Sequence, residues 1–133
     1  MAEHATRESV RPDPWATLAD AKREAAAVAR YARAFYGDSL KSVWLYGSRA
    51  RGDHRPDSDL DVLLVRDLRD DLDSIATMED RTDWPFREFL EERMEGYSVL
   101  FTPIQIHSVE PEQLDTWDTM FFRSVREDGI RIL

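Results

Sequence analysis

Apolar residues recur every three or four positions at Leu18, Ala21, Ala25, Val28, Ala32 and Phe35, a period that places them on one face of a helix ending near Gly37. That face is expected in the core. The period then gives way to a short run of β-formers, Ser42-Val43-Trp44-Leu45-Tyr46, which delivers the chain to Gly47-Ser48. A second strand is expected from Asp59 to Val65, polar and alternating at its start and continuously apolar at its end. Such a strand begins at a site and finishes inside a sheet. Arg66 to Asp73 reads as a charged surface connection.

A further helix is expected from Trp84 to Glu95, with Asp83 capping its start, Phe86, Phe89, Leu90 and Met94 on one face, and Gly96 at its end. Tyr97 to Ser108 reads as extended, and Pro103 argues for an edge strand or a bulge there. A last helix is expected from Pro111 to Arg126, with Leu114, Trp117, Phe121 and Val125 at helical spacing. Ile130 to Leu133 can add a short closing strand. Residues 1–14 carry Pro12, Pro14 and scattered charges without an apolar period, and read as a loose leader to a single domain over 15–133.

Composition narrows the function classes. Eighteen Lys and Arg stand against 27 Asp and Glu, a formal charge of −9, which disfavours diffuse attraction to nucleic acid or to an anionic membrane. A phosphate ligand would have to be captured locally. With no cysteine there is neither a disulfide nor a thiolate metal site, so a metal would rest on carboxylates or histidines. No apolar run reaches the roughly 18 residues of a membrane span, and the start of the chain has no hydrophobic signal core. A cytoplasmic protein is expected.

The candidate chemistry lies in the stretch GSRARGDHRPDSDLD, residues 47 to 61. In a strand, residues two apart point to the same side, so Asp59 and Asp61 project their carboxylates together. Taken alone, the pair is either a solvated acidic strand start or a hard oxygen site suited to Mg²⁺. Upstream, Gly47 permits close backbone approach, Ser48 adds a small hydroxyl, and Arg49, Arg51 and Gly52 supply local cations and a tight turn. A nucleoside triphosphate carried with Mg²⁺ needs both halves.

Gly47-Ser48, ten residues, then Asp59-Leu60-Asp61 matches the spacing G-S-X10-D-X-D, and the stretch resembles the minimal nucleotidyltransferases (MNT) of the DNA polymerase β-like superfamily. The resemblance covers residues 16 to 133. It implies an α/β (α+β) domain, a mixed β-sheet flanked by helices, and transfer of a nucleoside monophosphate from ATP or another triphosphate to an acceptor hydroxyl. Gly47 and Ser48 would hold the β and γ phosphates, and Asp59 and Asp61 would ligate the metal; the neighbouring cations Arg49 and Arg51 are read from the sequence as further nucleotide-binding residues. Many small members are antitoxins of two-gene toxin–antitoxin pairs that modify a tyrosine of an all-helical HEPN-type partner. The chain is thus expected to be a Mg²⁺-dependent transferase of this antitoxin type. A contact-only antitoxin and an aminoglycoside-type small-molecule transferase are the alternatives.

One departure from the family pattern stands out. Fully active members usually carry a third carboxylate on a later strand, here expected over Phe101 to Ser108, which contains no acid. Gln105 falls at that position; its amide oxygen can ligate a metal but cannot serve as a general base. His107 and Glu110 are the nearest substitutes. His54 lies in the loop, where it either touches phosphate or is an exposed turn residue, and His4 lies in the leader without a role.

Overall fold

In a computed structural model, residues 13–68, 83–99 and 103–133 are described. Helix α1 is Leu18–Tyr36; the Thr17 side chain accepts from the Asp20 N–H at its start, and Gly37 (φ 61°) ends it, after which residues 37–39 form one 3₁₀ turn. Strand β1 is Leu40–Tyr46, α2 the single turn Ser48–Arg51, and β2 Leu60–Arg66. Helix α3 is Trp84–Arg93, followed by β3 Ile104–Val109, α4 Pro111–Thr116, α5 Met120–Asp128 and β4 Ile130–Arg131.

The four strands form one mixed sheet in the order β3-β2-β1-β4, with β2 and β3 parallel and the other pairs antiparallel. Because side chains alternate across a strand, the sheet has two differently packed faces. On the first, Val43, Leu45, Leu60, Val62, Leu64, Ile104 and Ile106 meet the small-residue stripe of α1 (Ala21, Ala25, Val28, Ala29, Ala32) and Phe86 and Leu90 of α3. On the second, Leu63, Val65 and Val109 pack under Leu114, Phe122 and Val125 of α4 and α5. Strand β2 is therefore covered on both sides, which accounts for its continuous apolar run. Its polar N-terminal end opens on the second face.

Several expectations are corrected. Arg66 is buried, not part of a surface connection: its guanidinium lies 4.0 Å over the Tyr36 ring, donates to Ser108 Oγ at 2.8 Å and stands 3.6 Å from Asp83. Asp83 does not cap α3 with its side chain; it turns inward and accepts from the Ser108 hydroxyl. A buried cation requires such partners. The remainder of that connection, residues 69–73, lies outside the described residues. Helix α3 stops at Arg93 because Met94 leaves the helical region, and Gly96 (φ 83°) shapes the turn beyond it. Of the extended stretch expected from Tyr97 to Ser108, residues 100–102 lie outside the described residues, and Ile104 onward forms β3, an edge strand among the described residues.

The expected Pro111–Arg126 helix is broken. Trp117 adopts extended backbone (φ −70°, ψ 132°), and Thr119 caps a new helix by accepting from the Phe122 N–H at 3.3 Å. The break shifts the phase of the apolar stripe, so Phe122 enters the core while Trp117 (50% exposed) and Phe121 (40%) stay outside. A local side-chain cap outcompetes helix continuation here. At the chain's end, β4 pairs with β1, and the Ile132 N–H continues the ladder to the Val43 carbonyl at 2.7 Å.

Candidate active site

At the end of β1 the chain turns on Gly47, whose φ of 77° and ψ of −160° are open to glycine alone among ordinary residues. A Cβ built there would overlap Oδ2 of Asp61. The missing side chain is thus what allows the loop backbone to lie directly on the Asp61 carboxyl. Ala50 and Arg51 donate back to the Gly47 carbonyl, both at 3.1 Å, and Gly52 (φ 91°) closes the turn. Ser48 sits half-buried at the first position of this turn, where backbone N–H groups have no partner inside a helix.

Arg49 faces away from the site. It is 1% exposed, and its fork donates to the carbonyls of Ser58 (2.8 and 3.1 Å), Trp15 (2.7 Å), Arg55 and Pro56 (both 3.3 Å) and to the Asp13 carboxylate at 2.9 Å. These bonds tie the glycine corner to the loop that delivers Asp59. The cation expected to reach phosphate is instead the staple of the loop. Asp13, assigned to the loose leader, is part of that staple; burial raises its carboxyl, but the Arg49 and Trp15 N–H bonds with the charges of Arg49 and His54 outweigh this and hold it low. His54 points its Nε2 at the Ala16 carbonyl, 3.2 Å away, instead of presenting it to a ligand. Arg51 remains at the surface, 3.2 Å from Asp53, and its charge reaches Asp61.

Asp59 is exposed and immediately precedes β2, while Asp61 is half-buried within it. Burial and then the neighbouring charge of Asp59 push the Asp61 carboxyl up to about 6, against the pull of His107 and Arg51. Across the sheet Asp61 stands in register with Tyr46 on β1 and Gln105 on β3. Burial, Asp61 and Asp83 raise the Tyr46 hydroxyl well above its ordinary range. His107 lies two residues beyond Gln105 on the same face and is exposed. Glu110 is not free to act as a base: its carboxylate accepts from the Leu68 N–H at 3.0 Å while its own N–H donates to Gln113.

Two like charges close together, one partly desolvated, form a donor set that fits a hard divalent cation. Asp59 and Asp61 could hold Mg²⁺, with the Gln105 amide oxygen next in line. No cluster of three or more acids and histidines suited to a metal occurs among the described residues. Tyr46 and Ser58 escaped notice in the sequence. Tyr46 could have been found from the antiparallel register once β1 and β2 were set, whereas the carbonyl of Ser58 carries no sequence signal.

The family profile described as Nucleotidyltransferase domain matches residues 28–117, more than half of the chain. Comparison with the curated proteins gives no match. Among solved structures, a toxin–antitoxin complex with AMP-PNP is similar at 16% identity (81% of this chain, 72% of that one, TM-score 0.49). A Sulfolobus solfataricus protein described as a candidate nucleotidyltransferase is similar at 19% identity (86% and 84%, TM-score 0.45). A mutant of the toxin–antitoxin MntA-HpeT is similar at 14% (80% and 70%, TM-score 0.49). Since the matched span runs from within α1 through the glycine corner, the paired aspartates and β3, the chain belongs to the nucleotidyltransferase domain family.

Proposed function

We propose that the chain is a Mg²⁺-dependent nucleotidyltransferase, most simply an adenylyltransferase, that modifies a hydroxyl of a partner protein as the antitoxin of a HEPN/MNT-type pair. The observation that carries this reading is the close approach of the Gly47 backbone to the Asp61 carboxyl, which joins the glycine corner to the carboxylate pair. Gly47 and Ser48 would hold the β and γ phosphates of ATP, with Arg51 at the rim. Asp59 and Asp61 would hold the metal, which when bound screens the charge of the triphosphate. The acceptor oxygen attacks the α-phosphorus, the bond to the β-phosphate oxygen breaks, pyrophosphate departs, and the hydroxyl proton passes to solvent or to His107. Gln105, being neutral, positions and does not take the proton. Arg49 acts on the reaction only by fixing the loop.

Neutral Gln105 also motivates a second reading, in which the fold and nucleotide site persist but the partner is neutralised by contact. The two cavities described, each about 330 Å³, are lined by α1 with Ile132 and Leu133, and by α1 with the Pro14-Trp15 segment; neither is lined by Asp61. No helix among the described residues is long and apolar enough to cross a membrane.

The test is incubation with α-labelled nucleoside triphosphates, Mg²⁺ and the co-expressed product of the neighbouring reading frame. Label on that product, lost in Asp59→Asn with Asp61→Asn, is the expected result. Complex formation with no label under any triphosphate overturns the transferase reading in favour of contact.

A further inference from the structure

The second sheet face continues past the site onto a surface that the transfer chemistry does not use. The Tyr46 ring, in register with Asp61, meets Phe121 edge-on at 5.5 Å; Phe121 meets Phe122 at 5.0 Å, and Phe122 meets Trp117 at 5.9 Å. Trp117 and Phe121 are half exposed, and Met120 is 86% exposed. Three large apolar side chains thus stand at the surface on one short stretch, and Phe121 links that stretch through a single tyrosine to the candidate catalytic carboxylate. Grouped exposed apolar residues of this kind mark interaction sites, whereas scattered ones do not. The helix break at Trp117 is what presents them.

The charge around the patch selects its occupant. Between residues 110 and 128 there are six acids and two arginines. Arg123 is held by Asp118 at 2.6 Å, and Arg126 donates to the carbonyls of Leu114 and Trp117 at 2.6 and 2.9 Å. Glu112, Asp115 and Glu127 are exposed. This rim repels nucleic acid and anionic lipid. It also opposes a second copy of the chain in a two-fold contact, which would set the same acids against each other.

We infer that the Trp117–Met120–Phe121 surface is the docking site for the acceptor protein, and that it takes a protein surface of apolar side chains ringed by lysine and arginine. The inference rests on the transferase reading for the word acceptor, and on exposure and charge for the rest. Docking there would set the partner's hydroxyl beside Tyr46 and Asp61, so the partner's surface supplies both affinity and alignment.

The probe is a fluorescein-labelled amphipathic peptide with leucines at helical spacing, lysines elsewhere and one tyrosine, titrated into the full chain at about physiological salt. Two controls replace its lysines by glutamate or its leucines by serine. The lysine–leucine peptide is expected to bind at least tenfold more tightly than either control. Because Met120 is almost wholly exposed, Met120→Lys leaves folding intact; it should weaken peptide binding about tenfold or more, as should Phe121→Ser, while Met120→Glu does not weaken it. ATP binding, read by calorimetry, should be unchanged in all three. Equal binding of the controls, an unweakened Met120→Lys, equally tight binding of a labelled RNA, or a dimer lost in Met120→Lys would each overturn the docking site. Peptide binding with these dependences in a protein that binds no nucleotide would sink the transferase reading and leave the surface standing.

Discussion

The corner from Gly47 to Asp61 and the opposite side of the same sheet face, from Gln105 to Asp128, are built on different terms. In the corner the backbone is fixed by two residues: one glycine leaves room for a carboxyl, and one buried arginine uses its whole fork on loop carbonyls and Asp13. Across the sheet the residue in register with Asp61 is the neutral Gln105, the helix breaks, and aromatic side chains stay at the surface. Under the proposed function the difference matches what each region would recognise. Triphosphate and metal would be the same for every acceptor and would reward rigid preorganisation, whereas the acceptor side could vary with the partner.

The sharpest way to break this comparison is to remove the corner's charge. Asp59→Asn with Asp61→Asn is expected to lower label transfer by about three orders of magnitude, the several kcal/mol that a metal clamp contributes. The measurement is single-turnover transfer at saturating Mg²⁺. A loss under about tenfold would mean that the chemistry lies elsewhere.

Arg49 tests whether the corner is rigid for the reason given. Arg49→Ala leaves five carbonyl contacts and the half-buried Asp13 carboxylate without their donor, and should cost about 3 kcal/mol of unfolding free energy. Arg49→Lys keeps the charge but not the fork and should recover less than half of it. Urea denaturation checks both. Full stability in Arg49→Lys would show that charge alone, without geometry, holds the loop.

Gly47→Ala should cost about 2 kcal/mol, because the residue is held at φ 77° and its new methyl displaces the Asp61 carboxyl. Nucleotide affinity should fall with it. If the variant binds ATP as tightly as the parent, the loop and Asp61 do not share a ligand.

These residues also mark how far the sequence could be read. The amphipathic α1, the doubly covered β2 and the Gly47–Asp61 constellation were legible because each follows from local spacing: a helical period, an apolar run, a fixed motif. Arg49 was misassigned because an arginine beside a phosphate loop and an arginine stapling that loop look identical in one dimension. The carbonyls of Ser58 and Trp15 that settle the matter are backbone groups reached only through the fold. Asp83 and Arg66 misled similarly; their pairing with Ser108 spans 25 and 42 residues. The helix break at Trp117 was hidden because Thr119 fits a helix by period yet caps one by chemistry.

Gln105→Glu would sharpen the contrast from the other side. Gln105 is in register with Asp61, so a carboxylate there restores the third acid and should raise transfer about tenfold at saturating Mg²⁺, a modest share of what a placed base can contribute. An unchanged or lower rate would show that the proton leaves by another route.

The smallest effect concerns the charge stored in the corner. The Asp61 carboxyl is pushed up to about 6 from an ordinary 3.8 by burial and Asp59, so without metal the fold prefers it protonated. Its stabilising contribution is therefore complete below about pH 4 and is lost as pH rises through about 6. Because the group is only half-buried, solvent screening reduces the effect to about 1 kcal/mol. Unfolding free energy in EDTA, measured from pH 4 to 7, should fall by that much more in the parent than in Asp61→Asn. Saturating Mg²⁺ should reverse the difference, since the cation binds the ionised form and stabilises the parent most at the higher pH. Identical pH slopes for the parent and Asp61→Asn in EDTA would place Asp61 in water, not against the Gly47 corner, and would remove the contact on which the contrast between the two regions depends.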